Sequence, residues 1–541
     1  MAYTVTSRCT QCNDCLPLCP TGAIKQEDQQ LWIDPLLCNN CEGFYDQPLC
    51  VAACLNDAPI PLQAKKGRCK VDAKVSTSPR LFLNGKTHSF ASAIVIWEAC
   101  NVLAQRQSLP WQPDGAGNLC HRRQVSGGRG EITICLADPS QTDASGLAAA
   151  AAEAALTVWD IRATCLHLIY AAYATALERP WEQSFTLNDQ EISGYLGLGK
   201  RKDLSKLAKL TLIQTLVEQP CNLLVAVDWS PQGKVKKVAM PQSPLWQLVK
   251  TQHHFQEDDQ GCKHLTGLTF TIQAGPWAEV FLNRQGARAG TQFYQYGTLP
   301  QSLLLNVMSI WQQHEGVARM MLWLLFKTRM GAEQRITVPT LMRIAYGEQR
   351  LLRAANQREE RKRLLRSFEG DLEVLNRYGL KPHFDPLTYP IEIQPLWARL
   401  ADLPDDAEAA LAFWTEDGSR DFRLTDAAPR DKWQRLMQAR FRCFELPEDW
   451  ESQSCKVAKA PKQASKQALT QKLRPSYLQA ERRTLSGQQI LAARKRLELS
   501  QRALASHLGK SQSWVRDIES GRLRVSFKDQ QRLSQVLGVE P

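Results

Sequence analysis

The chain has 541 residues, 43% of them apolar and 23% charged, and a net charge of +12. That length is too great for one hydrophobic core and implies several domains, while the excess of Lys and Arg suits a phosphate-rich partner. No apolar run is long and clean enough to cross a bilayer, because Leu147 to Leu177 is broken by Glu153, Asp160 and Arg162.

The first 54 residues carry eight of the 17 cysteines, as Cys9-x2-Cys12-x2-Cys15-x3-Cys19-Pro20 and Cys38-x2-Cys41-x8-Cys50-x3-Cys54. The first run has the spacing by which bacterial ferredoxins hold iron–sulfur clusters through thiolates. Cys9, Cys12 and Cys15 lie on one tight loop and can wrap three corners of a cluster. The fourth cysteine of such a run ligates the other cluster. The expected sets are therefore crossed, with Cys9, Cys12, Cys15 and Cys54 on cluster one and Cys38, Cys41, Cys50 and Cys19 on cluster two. Two [4Fe–4S] clusters are the expected cofactors. The x8 gap lengthens the loop over cluster two, and Leu55 stands where a proline is usual. Zinc also binds C-x2-C pairs, but its sites rarely show this run. Disulfides are disfavoured, since nothing at the start resembles a targeting segment and a reducing cytoplasm is expected. Most of the other nine cysteines are expected to be small buried apolar residues.

A cluster domain over residues 1–66 leads into an appendage and loop region over 67–140. There Arg80 to Thr87 reads as a hairpin around Asn84-Gly85, Phe90 to Leu103 as a helix, and 112–130 as a glycine-rich loop without a nucleotide-binding pattern. Glu131 to Leu136 is a short strand, followed by a long helix within 147–177. Phe185-Thr186-Leu187 precedes a helix from Asn188 to Leu198, with Asn188 and Glu191 spaced as a capping pair. Another helix lies near Asp203 to Val217. A hairpin of Leu223–Asp228 and Val235–Met240 then completes the order of a winged helix, over 141–262. His253 and His254 fall in a polar loop. The order recurs over 263–454, with helices at Gly316–Met330 and Pro339–Tyr346, a strand at Ile336–Val338, and a long basic helix from Leu351 to Tyr378. Its Arg350, Arg353, Arg358, Arg361, Lys362, Arg363 and Arg366 can follow a phosphate backbone or form a solvated face balanced by Glu359, Glu360, Glu369 and Asp371. This middle region resembles the paired winged-helix domains of plasmid replication initiators.

Residues 455–484 read as a basic linker, and 485–541 as an all-helical head. Ile490, Ala493 and Leu497 mark one helix face, and Ser500 caps a second helix carrying Leu504, Ala505 and Leu508. Gly509 turns the chain, Ser511 caps a third helix carrying Val515 and Ile518, and Gly521 ends it. Ser526 and Asp529 cap a fourth, where Leu533, Val536 and Leu537 close the core. The string from Leu499 to Gly521 closely resembles the Cro/Xre repressor-like helix-turn-helix. That motif lays the start of its third helix in the major groove, so Gln512, Ser513, Arg516 and Asp517 are the expected base-facing residues. Gln501, Arg502, Lys510, Arg522 and Arg524 are the expected backbone contacts. Trp514 is expected to be partly in the core.

The fold class is thus multidomain α+β: a two-cluster ferredoxin-like domain, a winged-helix-like α+β middle, and an all-α helix-turn-helix. This arrangement, with the stretch Phe90-Ala91-Ser92-Ala93-Ile94-Val95-Ile96-Trp97-Glu98-Ala99-Cys100-Asn101, resembles the cyanobacterial CnfR/PatB-type regulators. The resemblance implies a cytoplasmic, oxygen-responsive activator of nitrogen-fixation genes. It would bind double-stranded promoter DNA or recruit RNA polymerase, and work as a homodimer where it reads paired half-sites. No enzyme is expected, because the chain shows no nucleotide loop, catalytic triad or metal-hydrolase motif. A cluster-regulated replication initiator and a ferredoxin-fused oxidoreductase are the alternatives.

Overall fold

The computed structural model describes residues 2–450 apart from 28–29, 36, 63–75, 84, 126–129, 139–144, 232–233, 258–262, 329–335, 405, 420–422 and 448, and residues 487–537 apart from 498, 509, 521–522 and 524–526. The expected linker at 455–484 lies outside the described residues. The chain divides into two compact units, Met1–Lys459 and Ala460–Pro541.

The first unit begins with a small module. Strand β1 (Tyr3–Val5) pairs antiparallel with a later strand, and β2 (Ile24–Glu27) with β3 (Gln30–Ile33) makes a hairpin. A one-turn helix α1 (Leu49–Ala52) precedes β4 (Pro59–Pro61), the partner of β1. Among the described residues its buried apolar core is Val5, Ala23, Ile24, Leu31, Ile33 and Ala58 around Cys50, with Tyr3, Leu16 and Val51 packed against it.

Beyond it lies one large core. Strand β5 (Thr87–Ala91) leads into α2 (Ile94–Gln105), buried from Val95 onward. Of the expected 80–87 hairpin, Asn84 lies outside the described residues, and the Gly85 N–H donates to Phe82 O at 2.7 Å. However, β5 pairs with a strand some two hundred residues later rather than with its neighbour. The segment expected as a loop contains strands β6 (Gln112–Pro113) and β7 (Leu119–Val125), which join β8 (Gly130–Leu136). Its Gly115 and Gly117 sit in the turn between those strands, and the alternation from Leu119 onward carries the pairing. Strand β7 delivers His121 to the buried Glu98 of α2 (Nε2 to Oε1, 2.8 Å), where Asn101 Nδ2 also donates at 3.2 Å. Burial pushes the Glu98 carboxyl up, but His121 and Arg123 outweigh it, and the pKa is lowered. Cys120 and Cys135 face each other on β7 and β8, Cα atoms 4.3 Å apart, and are joined as a disulfide. Both are buried, as expected, but the pairing was not expected. Cys100 and Cys165 fit the expectation of small buried residues, each fully buried.

The expected long helix is two, α3 (Ala149–Val158) and α4 (Ala163–Ala176), broken at Trp159 and Asp160. Strand β9 (Ser184–Asn188) runs into α5 (Asp189–Tyr195), whose start is the expected capping box: the Glu191 N–H donates to Asn188 Oδ1 at 2.8 Å, and the Asn188 N–H to the Glu191 carboxylate. Helix α6 (Lys206–Cys221) is capped by Ser205. The next pair, β10 (Leu223–Trp229) and β11 (Val238–Pro244), does form a hairpin. It extends the sheet in the order β11-β10-β8-β7-β6, because the inward faces of β8 and β10 are both apolar. The ribbon beside α5 and α6 is instead β12 (Trp246–Glu257) with β13 (Lys263–Ala274), in a sheet ordered β12-β13-β9. His253 and His254 therefore lie on a strand, not in a polar loop.

After short helices α7 (Trp277–Phe281) and α8 (Arg284–Ala289), β14 (Tyr296–Pro300) supplies the partner of β5. Helix α9 (Gln301–Ile310) precedes α10 (Glu315–Lys327), whose Phe326 stacks on Trp97 of α2 with ring centroids 6.0 Å apart. Then follow β15 (Ile336–Thr337), α11 (Val338–Tyr346), α12 (Glu348–Asn356), α13 (Arg358–Arg377) and β16 (Lys381–Phe384). An excursion with α14 (Leu396–Arg399), α15 (Ala407–Gly418) and α16 (Lys432–Leu436) leads to β17 (Arg440–Glu445). The order β15-β17-β16 repeats that of β9-β13-β12: the first strand at one edge, the last in the middle. The second unit holds α17 (Gly487–Arg496), α18 (Gln501–Leu508), α19 (Gln512–Glu519) and α20 (Phe527–Leu537).

His167 of α4 is fully buried, its Nε2 on Ile96 O at 2.9 Å and its Nδ1 accepting from Trp246 Nε1 at 3.0 Å. Burial pulls its pKa down to about 4. An unfolded chain takes up that proton near pH 6.5, so this group costs nothing above pH 6.5 and destabilises the fold as pH falls towards 4. Between pH 7 and 5 the first unit should lose about 2 kcal/mol through this group. Urea titrations at both pH values should show His167→Gln losing that much less than wild type.

Candidate metal centre and nucleic-acid interface

The eight N-terminal cysteines are gathered around two cavities. Cys9, Cys12, Cys15 and Cys54 line one, with Val5, Leu31 and Ala58 among the apolar wall. Cys19, Cys38, Cys41 and Cys50 line the other, with Tyr3, Ile24 and Ile33. Cys54 thus lies with the Cys9–Cys15 loop, and Cys19 with Cys38, Cys41 and Cys50. Among the described residues, no three His, Cys, Asp or Glu side chains come close enough to grip a single metal ion.

The loops are bent to serve that space. Of seven non-glycine residues with positive φ among those described, Gln11, Asn13, Asn40, Cys41 and Asp57 lie in this module. Such backbone is costly and concentrates where function over-determines it. It also turns amides onto sulfur: the N–H groups of Gln11, Ala23, Tyr3 and Ala58 donate to the Sγ atoms of Cys9, Cys19, Cys38 and Cys54 at 3.3–3.4 Å. Hydrogen bonds to sulfur are one of the means by which a protein tunes an iron–sulfur cluster. Burial, with the neighbouring Cys38 and Cys41, pushes the Cys50 thiol up to about 12. At Cys19 burial also pushes upward, but the Thr21 hydroxyl and nearby amides prevail and the pKa is lowered. The two sites differ in cover: Cys41 and Cys50 are buried, while Cys12 is exposed. The x8 loop over the second site presents Phe44 and Tyr45 to solvent, and Leu55 is 95% exposed.

In the second unit, Ile490, Ala493, Leu504, Ala505, Leu508, Val515, Ile518, Leu533 and Leu537 form the core, while Leu497 stays 44% exposed. Trp514 packs at its edge. Ser500 and Ser511 cap α18 and α19, accepting from Ala503 N and Trp514 N at 3.0 and 3.2 Å. Gln512, Ser513 and Arg516 at the start of α19 are exposed, as is Arg502. Asp517 is half-buried and pairs with Arg516 at 3.5 Å. Two expected backbone contacts are otherwise engaged. Gln501 Nε2 donates to Glu519 at 2.8 Å, and Lys510 pairs with Asp529 at 3.1 Å while lying over Trp514. Arg522, Arg524, Gly509, Gly521 and Ser526 lie outside the described residues. Of the basic residues on α12 and α13, Arg361 donates to Ala354 O and Ala355 O, and Lys362 and Arg363 pair with Glu359 and Glu360. Arg353, Arg358 and Arg366 remain exposed.

Sequence reading missed the clasp of the helical head. Arg494 on α17 reaches Glu519 on α19 through Nε at 2.5 Å and Nη2 at 3.0 Å, and Leu499 O through Nη1. Burial pushes the Glu519 carboxyl up, but Arg494 and Gln501 hold it below its usual range.

Residues 487–541 match the model of a helix-turn-helix domain family. The N-terminal segment is 54% identical over 56 residues to a ferredoxin-like protein in the nif region of Trichormus variabilis, covering 10% of this chain and 48% of that protein. It is 50% identical over 54 residues to an uncharacterized ferredoxin-like protein of Haemophilus influenzae, covering 63% of it. Against Ferredoxin-1 of Chlorobaculum tepidum it is 48% identical over 54 residues, or 87% of that protein. The front of this chain belongs to the ferredoxin family. The whole is a ferredoxin-like segment and a helix-turn-helix domain on one polypeptide, and it spans less than two thirds of the first two relatives. The crystal structure of the RctB domains 2-3 covers 51% of the chain with a TM-score of 0.27 and 11% identity, too distant to carry an argument.

Ferredoxin homology implies iron–sulfur binding, and two quartets of thiols with amides aimed at sulfur fit such groups. Removing one partner of the head's buried pair should expose its cost: Arg494→Met should destabilise the 487–541 unit by about 3 kcal/mol, read as a lower melting temperature of the tail transition in the intact chain.

Proposed function

We propose that this protein is a cytoplasmic transcriptional activator rather than an enzyme, one that ties DNA binding to the state of two [4Fe–4S] clusters and serves nitrogen-fixation genes under low oxygen. The observation that carries it is the joining of two separate, crossed cysteine quartets to a helix-turn-helix head on a single chain. The nif-region names of several ferredoxin-like relatives support the choice of target genes.

In this reading Cys9, Cys12, Cys15 and Cys54 hold one cluster, and Cys19, Cys38, Cys41 and Cys50 the other. When bound, the clusters supply an oxygen-labile redox centre and the positive charge that lets crowded thiols ionise together. The amides of Tyr3, Gln11, Ala23 and Ala58 stabilise those thiolates. Without metal, Cys50 takes back its proton, and a module with so few apolar residues loses most of its core. At the far end, Gln512 makes bidentate contacts to a base, Ser513 and Arg516 flank it, and Arg502 meets the phosphate backbone. Asp517 orients Arg516. The segments spanning α4 to β13 and α10 to β17 are winged helices in this reading: helix, strand, helices and a two-stranded ribbon, with α5 and α6 in the first (β10 and β11 inserted before its ribbon) and α11, α12 and α13 in the second. Homodimerisation on paired half-sites and contact with RNA polymerase complete the proposal.

Protein purified without oxygen should carry about eight irons and lose promoter binding or activation in air. A Cys12→Ser, Cys41→Ser double variant should be inactive, and full promoter activity from it would defeat the sensor. Gln512→Ala should weaken specific binding about tenfold with iron content unchanged, measured by titration against operator and scrambled duplexes.

A further inference from the structure

Strand β3 is buried at three successive positions, Leu31, Trp32 and Ile33. A strand alternates its faces, so one face of the β2–β3 hairpin cannot bury all three. Leu31 and Ile33 belong to the module's own core, while Trp32 does not. Trp32 faces away from it and is still only 5% exposed. Its cover is the ribbon beside α6: the ring centroids of His253 and Phe255 on β12 lie 4.4 and 5.4 Å from the indole. His253 and Phe255 are two residues apart on one face, near the end of the strand. From the module side Lys25 lies over the same indole at 5.6 Å and pairs with Asp34 at 3.1 Å.

The same joint touches the cysteine sites unequally. A cleft between module and ribbon is walled by Tyr3, Val5, Trp32 and Ile33 on one side, and by Leu207, Phe255 and Leu265 on the other. Tyr3 and Ile33 also wall the cavity of Cys19, Cys38, Cys41 and Cys50. Of these wall residues Val5 lines the other quartet's cavity, as does Leu31 of β3, so the difference between the sites lies in the backbone ties of Cys38. Two hydrogen bonds tie Cys38 to the interface strands: its Sγ accepts from Tyr3 N at 3.4 Å, and its N–H donates to the O of Asp34, next after β3, at 3.0 Å.

We propose that the second site, Cys19, Cys38, Cys41 and Cys50, reports to the β12–β13 ribbon through Trp32. This rests on the cluster reading above and adds the route and the receiver. A filled site holds β1 and β3 in the register that seats Trp32 on His253 and Phe255, which fixes the ribbon. An empty site frees β1 and β3, the indole leaves, and the ribbon loosens. Trp32 is a positioning residue, and the ribbon is the surface whose order changes.

Hydrogen–deuterium exchange across residues 246–274 of the full chain, purified without oxygen, reads this directly. Exposure to air, or Cys38→Ser, should speed exchange in β12 about tenfold or more. Trp32→Ala should do the same without oxygen and with iron content and visible absorbance equal to wild type, a combination that general unfolding of the module would not give. Cys12→Ser, which disables the other quartet, should leave the ribbon as protected as in wild type. Unchanged exchange in Trp32→Ala, or equal loosening by Cys12→Ser and Cys38→Ser, would overturn the route. Iron counting keeps the two readings apart: metal-free wild-type protein refutes the sensor itself, whereas full iron with an indifferent ribbon refutes only the coupling.

Discussion

Crowding of thiolates is the constraint on which the N-terminal module depends. Four sulfurs around one small cavity cannot all stay ionised unless a positive centre sits among them, because like charges and burial both favour the thiol. Cys50 shows this most strongly, pushed up to about 12, and Cys15 is raised too, by burial and by Cys9, Cys12 and Cys54. The apolar residues that remain are few and small, Ala23 and Ala58 among them. A chain segment of this size does not usually bury enough apolar surface to fold on its own. Metal binding and folding are then coupled, and a signal that removes metal from one quartet acts on the strands and loops that line that quartet.

The rest of the first unit is built in the opposite way. Helices α2, α4 and α10 are buried along nearly their entire length, and the β5–β14 pairing closes the chain over some two hundred residues. Even its charged groups are satisfied internally, Glu98 by His121, Asn101 and Arg123. A conditional module resting on an unconditional platform has a physical consequence. Changes in the module do not dissolve the platform, so they register where the two meet, and among the described residues β1 and β3 meet it at the ribbon.

Local chemistry was legible in the sequence and distant pairing was not. The spacing of the cysteine runs marked the two loops, and the crossed sets followed from the two-cluster ferredoxin pattern that the first run resembles. The Asn188 box and the Ser500 and Ser511 caps were readable because a cap is settled within four residues. The head's core followed from helical spacing, although Leu497, expected on that face, is exposed. By contrast, the partner of β5, the true ribbon at 246–274 and the facing of Cys120 with Cys135 all depend on which strands lie side by side. Sequence order favours neighbours, so the 223–240 hairpin reads as the ribbon, whereas it extends a different sheet. Arg494 and Glu519 sit 25 positions apart, and nothing in either neighbourhood marks them as a pair. Trp32 could have been noticed: a large aromatic between two core residues of a strand has nowhere to go inside so small a module.

The strength of that aromatic contact is suited to a switch. An indole buries on the order of 200 Å², worth about 5 kcal/mol at 25 cal/mol per Å². Part of this comes from the module's own Lys25, which leaves about 2–3 kcal/mol for His253 and Phe255. A coupling of that size shifts an equilibrium by roughly 30- to 150-fold. A much larger joint would hold the ribbon fixed whatever became of the cysteine sites, and a much smaller one would be lost in thermal motion. A single tryptophan at the seam therefore transmits a structural change without welding the two parts together.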